Sequence, residues 1–317
     1  MSILSPDDFA RTGTRTGLGV SFGTFGELLQ GALEPDRDFL VTLPIARWST
    51  ARVALDPGAG ELRVEPAEKR KALRVAMAVL AGHGVTHGGT LLLSSELPEG
   101  KGMASSSADL VATVRAVGDA VGVPPSPEQT EAYLREVEPT DGLMYRDVVA
   151  FHHREVRLRR VLGPVPPLTI VGIDEGGQVD TVDFNASRPV IAPAHRREYR
   201  ALLDELGTAL SAGDLATVGR VATRSAELNQ ERCHKRHLDR VKEICRDVGG
   251  LGVVVAHSGT MVGIALSGAD PHLAGKAGQA VAACAGLGPV SVDRTLDAVG
   301  VPALIRASGT ERKSYVD

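Results

Sequence analysis

Cysteine is scarce: Cys233, Cys245 and Cys284 are the only three in 317 residues, widely spaced and without a CxxC pair. An odd, scattered set of thiols supplies neither a disulfide framework nor a zinc site. Aromatic residues make up only 3% of the chain, with one Trp, so the cores must be built from Val, Leu and Ala. Excess charge is missing too. The formal net charge is −4 and no basic block stands out, which removes electrostatic support for binding nucleic acid or a membrane surface. No apolar run approaches the length needed to span a bilayer. The opening Met1-Ser2-Ile3-Leu4-Ser5-Pro6-Asp7-Asp8 has no basic or apolar leader character, so a cytoplasmic location is expected. What is there is 43% apolar content in a chain long enough for two ordinary domains, and a small molecule is the default ligand.

The most particular stretch covers residues 97–109. Thr90-Leu91-Leu92-Leu93-Ser94-Ser95 reads as a buried strand, and Leu110, Val111, Val114, Val117 and Val121 recur at helical spacing. Between them lie Gly100 and Gly102, then Ser105, Ser106 and Ser107 where the helix should begin. A strand, a glycine turn and a helix N-terminus in that order present free N–H groups to an anion, the chemistry of a phosphate loop. The pattern is neither G-x-x-x-x-G-K-[ST] nor a three-glycine dinucleotide fingerprint. Without further support it would also suit an ordinary tight connection.

The run Pro98-Glu99-Gly100-Lys101-Gly102-Met103-Ala104-Ser105-Ser106-Ser107 resembles the second motif of the GHMP kinases, usually Pro-x-Gly-x-Gly-Leu-Gly-Ser-Ser-Ala-Ala. Met103 and Ala104 stand in place of Leu-Gly, and Ser107 in place of Ala. Residues 23–31, with Gly26, Glu27 and Gln30, resemble the first motif of the same superfamily. Phe22 takes the usual Pro position there, and no Lys or Arg follows Gly23, so no basic catalytic group is expected from that motif. The glycine-rich 249–256 with His257, Ser258, Gly259 and Thr260 matches the third motif, which closes over the active site.

This resemblance implies an α+β fold with two domains: a ribosomal protein S5 domain 2-like ATP-binding domain over residues 1–163 and a ferredoxin-like domain over 164–317. The Gly163-Pro164-Val165-Pro166-Pro167 linker marks the boundary. It implies ATP held by Pro98, Gly100, Lys101, Gly102, Met103, Ala104, Ser105, Ser106 and Ser107, with Lys101 adding charge, and Mg²⁺ on Ser106 and Glu138. Asp141 is the catalytic candidate beside Ser106, either as base or as anchor for a substrate ammonium. Gly26, Glu27, Gln30, His257, Ser258, Gly259 and Thr260 join Asp141 as substrate contacts. Glu138-Pro139-Thr140-Asp141-Gly142 could equally be a helix stop, and its spacing is shorter than in mevalonate kinase. Within the superfamily the motifs are most similar to the branch that phosphorylates L-threonine for cobalamin biosynthesis. The alternatives are another small hydroxylated metabolite, such as serine or homoserine, or a nucleotide-binding regulator without turnover. A homodimer is left open.

Elsewhere, residues 50–55 and 61–65 suit a hairpin around Asp56-Pro57-Gly58-Ala59-Gly60. Helices are expected over 72–80, from Pro127 to about Val137 with Ser126 as cap, and over 194–210, 215–232 and 237–248. Strands are expected over 19–31, 39–45, 148–151, 156–158, 168–173, 251–256, 261–266 and 289–292. His83 and His87 have a metal spacing, but Gly84 and Gly88-Gly89 argue against a helix that would align them. His152 and His153 face opposite ways on a strand. The Cys and His residues of Cys233-His234-Lys235-Arg236-His237 read better as a solvated face than as a zinc site.

Overall fold

The computed structural model describes residues 13–35, 37–177 and 191–296. The opening octapeptide discussed above lies outside this set.

Two long strands begin the fold, β1 (Arg15–Glu34) and β2 (Arg37–Asp56), antiparallel to one another over nearly their whole length. They absorb the shorter strands expected at 19–31 and 39–45. The register shifts between Phe22 and Gly23 and again around Glu27, so the glycine-rich run is both strand and bulge. The expected hairpin at 50–65 does not form. β3 (Leu62–Glu65) runs parallel to β4 (Gly88–Ser95), and β4 is the strand that pairs with β2. A β–α–β crossover accounts for this: α1 (Arg70–Gly82) carries the chain from β3 back to the parallel β4 and buries Ala72, Val75, Ala76, Val79 and Leu80. Each Val or Leu so covered contributes about 1.5–3 kcal/mol.

Helix α2 (Ser105–Val121) lies against β1 and β2 and is buried along most of its length. Next, α3 (Pro127–Arg135) starts as the sequence predicts: the Ser126 side chain accepts from Gln129 N, Gln129 answers on Ser126 N, and Pro127 opens the helix. The strands β5 (Val148–His152) and β6 (Arg157–Gly163) form a hairpin beside β2.

The second half contributes β7 (Leu168–Asp174), α4 (Pro193–Ala212), α5 (Leu215–Leu228) and a 3₁₀ turn (Asn229–Glu231). It continues with α6 (Leu238–Asp247), β8 (Gly252–Val255), β9 (Met261–Ser267), α7 (Leu273–Cys284) and β10 (Val290–Arg294). Helix α7 escaped the sequence reading because its Ala- and Gly-rich face buries little beyond Ala280 and Cys284.

The described strands form one ten-stranded sheet, ordered β10-β7-β9-β8-β1-β2-β4-β3, with β5 and β6 joined to β2. The two halves meet in this sheet where Glu27 of β1 lies opposite Val255 of β8, and an isolated antiparallel bridge also pairs Ile45 with Thr295. Gly26 makes that approach possible: its φ is +58°, and a Cβ there would sit 2.5 Å from the Val255 carbonyl. A large apolar core fills the first half and extends into α4 and α5, and a second lies among β7, β8, β9, α6 and α7. Among the described residues, no helix is long and apolar enough to cross a membrane.

Candidate active site

β4 delivers the chain to the glycine loop, where Gly100 and Gly102 take φ of +71° and +82°. Ala104 also lies in the left-handed region, at φ +56°, in the place where the related motif carries Gly. It is the N-cap of α2 and provides no side-chain acceptor, so the N–H groups of the first turn are left to a ligand. Neighbours fix the loop on both sides. Thr24 N donates to the Met103 carbonyl at 3.2 Å, and Thr260 N donates to the Lys101 carbonyl at 3.1 Å. The third motif presses so closely that a Cβ on Gly259 would fall 2.1 Å from the Lys101 carbonyl oxygen.

The Lys101 ammonium is 2.7 Å from Asp174 Oδ2 and donates to the Gly177 carbonyl at 2.7 Å. The charge expected at the phosphates is therefore paired across the loop. Burial alone would raise Asp174, but hydrogen bonds from Lys101 and Thr260 outweigh it and hold the carboxyl below its usual range. Thr260, expected as a substrate contact, donates its hydroxyl to Asp174 and so belongs to this clasp.

The first turn of α2 reaches the segment after α3. Ser106 Oγ donates to Glu138 Oε1, while Lys71 Nζ from the start of α1 donates to the other oxygen. One residue on, Ser107 Oγ lies 3.3 Å from Asp141 Oδ2 and accepts from Asp141 N at 3.2 Å. Glu138-Pro139-Thr140-Asp141 is thus held against the helix end as well as stopping a helix.

Asp141 meets two more groups from the candidate set. Oxygen and nitrogen atoms of Glu27, Asp141 and His257 all lie within 4.8 Å of one another. A hydrogen bond joins Glu27 Oε1 and His257 Nδ1 at 3.0 Å, and another joins His257 Nε2 and Ser258 Oγ at 3.1 Å. Burial pushes the Glu27 carboxyl well above its ordinary value. Burial, then the neighbouring Glu27, raises Asp141 to about 6. Burial also lowers His257 to about 4, leaving the imidazole neutral at pH 7. Gln30 is buried nearby, and its side-chain amide finds no partner among the described residues.

The structure therefore gathers Glu27, Ser107, Asp141, His257 and Ser258 at one point, with Ser106 and Glu138 beside it. Sequence reasoning missed Lys71, Asp174 and Lys235. Lys235 is buried and donates to the Gly259 carbonyl, bracing the third motif from behind. None of these three sits in a motif, and only the folded chain brings them to the site. Among the described residues, Glu27, Asp141 and His257 are the group of three or more His, Cys, Asp or Glu side chains close enough to share one ion. Cys233 Sγ takes a hydrogen bond from Lys235 at 3.0 Å, and His237 Nε2 takes one from Arg236 at 3.0 Å.

Known proteins identify the family. The family described as GHMP kinases N terminal domain matches residues 70–154, and the one described as GHMP kinases C terminal matches 203–289. An L-threonine kinase from Salmonella typhimurium is 24% identical over 245 residues, covering 76% of this chain and 80% of its own. An L-threonine kinase from Citrobacter freundii is 25% identical over 242 residues, covering 76% and 83%. The crystal structure of homoserine kinase from Cytophaga hutchinsonii superposes with a TM-score of 0.68 at 18% identity, covering 90% of this chain and 95% of that one. With the N-terminal family region spanning the glycine loop, Glu138 and Asp141, and the C-terminal region following it in order, this chain belongs to the GHMP kinases, ATP-dependent kinases of small molecules.

Proposed function

We propose that this kinase transfers the γ-phosphoryl group of ATP to the side-chain hydroxyl of a small amino acid, L-threonine, giving O-phospho-L-threonine. The observation that carries the reading is the convergence of Glu27, Asp141 and His257 beside the uncapped end of α2. Similarity to two L-threonine kinases along about three quarters of the chain supports the acceptor. In this reading the product supplies the nucleotide-loop linker of cobalamin, made in the cytoplasm. Residues 1–163 form the ATP-binding unit and 164–317 the unit that closes it.

Each residue then has a task. Backbone N–H groups of Ser105, Ser106 and Ser107 receive phosphate oxygens, while Thr24 and Thr260 keep the loop in shape by binding its carbonyls. The acceptor oxygen bonds to the γ-phosphorus, the bond from that phosphorus to the β,γ-bridging oxygen breaks, and ADP leaves. Asp141 takes the hydroxyl proton. A carboxyl near 6 is mostly ionised at pH 7 yet basic enough to accept a proton as the new bond forms. Glu27, linked to His257, provides the polar wall that fixes the acceptor. Phosphoryl transfer depends chiefly on positioning and charge neutralisation, so one modest base is sufficient.

Ser106 and Glu138 offer a hydroxyl and a carboxylate side by side, and the carboxylate already draws a cation, Lys71. That oxygen pair fits Mg²⁺, which would neutralise phosphate charge there when bound. The test is a panel of acceptors with ATP and Mg²⁺, reading ADP release. L-threonine should be preferred over serine and homoserine, with mevalonate inert. Activity on mevalonate alone, or ATP binding without ADP release from any hydroxy amino acid, would overturn the reading.

A further inference from the structure

The seam between the two halves runs past the glycine loop, and an ion pair crosses it there. Lys101, between the two loop glycines, brings its ammonium to 2.7 Å from Asp174 Oδ2 and donates to the Gly177 carbonyl at 2.7 Å. Both partners are partly buried, their side chains 19% exposed. By its place in the motif Lys101 reads as charge for the phosphates. An ammonium held this close to a carboxylate presents little net charge to a third group, so the structure gives it another task. Lysine has three donors and no acceptor, and here the end of β7 takes two of them.

The two ends of the pair are mounted differently. Asp174 closes β7 opposite Met261 of β9, and its other oxygen accepts from the Thr260 hydroxyl and from Gly176 N at 2.9 Å. The next residue is held as firmly. Glu175 N donates to the Thr260 carbonyl at 3.1 Å, and the Glu175 carboxylate accepts from Arg236 N at 3.2 Å and His237 N at 2.6 Å. A strand end tied from both sides is a fixed anchor. Lys101 instead lies in a loop, its ammonium at the end of a flexible four-carbon stem, so the anchor sets where the loop sits. The third motif also reaches the loop through backbone: Thr260 N donates to the Lys101 carbonyl at 3.1 Å, and a Cβ on Gly102 would fall 2.3 Å from Ala256 Cβ. Three residues thus close a ring across the seam. The Lys101 side chain meets Asp174, its carbonyl meets Thr260 N, and the Thr260 hydroxyl returns to Asp174.

We propose that Asp174 is a positioning residue for phosphoryl transfer, latching the glycine loop to the third motif through Lys101. The ring stands between the two parts of the site. On one side Lys101 leads within a few residues to Ser105, where α2 begins; on the other, Thr260 closely follows His257, which clusters with Glu27 and Asp141. Fixing the ring therefore fixes the distance from the helix end that faces the phosphates to the groups that face the acceptor. Transfer is sensitive to that distance, since a displacement of about 1 Å can cost about 100-fold in rate. The inference rests on the placement of nucleotide and acceptor given above, and not on which hydroxyl compound is the acceptor.

Lys101→Met, Asp174→Asn and the double variant, each measured with ATP and L-threonine well below its Tm, test the latch. Asparagine keeps an oxygen for Thr260 and Gly176, so the change falls on the link to Lys101. Each single variant should lose about 10- to 100-fold in kcat, with KM for ATP within about threefold of wild type. The double variant should be no worse than the more impaired single, because both changes remove the same contact. Lys101→Arg, which keeps charge and reach, should recover part of the loss. Losses that multiply in the double variant would overturn the proposal, and so would wild-type kcat in either single variant. A KM for ATP raised about tenfold or more by Lys101→Met, with Asp174→Asn unchanged or improved, would make Lys101 a phosphate ligand and overturn it too. Hydrogen exchange at the Thr260 amide, followed without substrates, needs no acceptor. It should be about tenfold faster in both single variants and no faster in the double. Exchange at the wild-type rate would overturn the latch even where kcat had fallen. An enzyme inert toward L-threonine would overturn the acceptor reading alone, and the exchange rates would then decide the latch.

Discussion

The two sides of the proposed catalytic centre are built on opposite principles. On the nucleotide side the charged groups are partnered: Lys101 with Asp174, Lys71 with Glu138, and Ser106 with the same carboxylate. On the acceptor side Glu27 and Gln30 are buried with polar atoms that find no partner among the described residues. The first arrangement suits a ligand that brings its own charge and counter-ion to a surface already neutralised. The second suits a small ligand that must satisfy a fixed interior. Pre-formed, desolvated polar groups cost stability, and they make each missing hydrogen bond expensive for the wrong substrate.

Three substitutions sharpen this contrast. Asp141→Asn should have the largest effect, lowering kcat by about 10²- to 10⁴-fold if its carboxylate takes the proton. A loss confined to KM would make Asp141 a binding group instead. The same change should raise Tm at pH 7.5. A carboxyl raised from its ordinary 3.8 to about 6 binds more protons folded than unfolded between those values. Stability therefore falls as pH rises through that window, and the whole penalty is present above it. Asparagine removes the penalty, so an unchanged or lower Tm would contradict the buried-charge account.

Ser106→Ala should act on the other side and more mildly, costing about 10- to 100-fold in turnover at saturating ATP and Mg²⁺ with little change in Tm. Wild-type turnover in that variant would remove Ser106 from the metal assignment. The smallest effect belongs to the loop backbone. Ala104 at φ +56° carries a left-handed strain of about 1–2 kcal/mol, partly offset by the lower unfolded-state entropy of Ala relative to Gly. Ala104→Gly should be neutral to stabilising by up to about 1 kcal/mol in denaturant unfolding, and a clear destabilisation would show that the methyl group packs favourably.

The same contrast explains what could be read from the chain alone. The loop was legible because residues 98–107 are contiguous, so its glycines and hydroxyls stand at a fixed spacing that a motif can carry. Helix α3 was legible from Ser126, Pro127 and Gln129, a local cap. The acceptor side draws on β1, the turn after α3 and the third motif, with the end of β7 behind it. Local pattern could mark Glu27, Asp141 and His257 through their motifs, but not Asp174. The hairpin expected at 50–65 failed for a related reason. A turn signal says that the chain reverses, not which strand then takes the vacant edge, and here β4 occupies the place beside β2.

The most direct test of the buried acceptor side is the pH dependence of kcat/KM for L-threonine at saturating ATP. With Asp141 held near 6 by burial and by Glu27, the rate should fall on the acid side with a midpoint near that value and level off above it. A profile that stays flat down to pH 5 would mean that no carboxyl of this kind governs the acceptor, and would contradict the account.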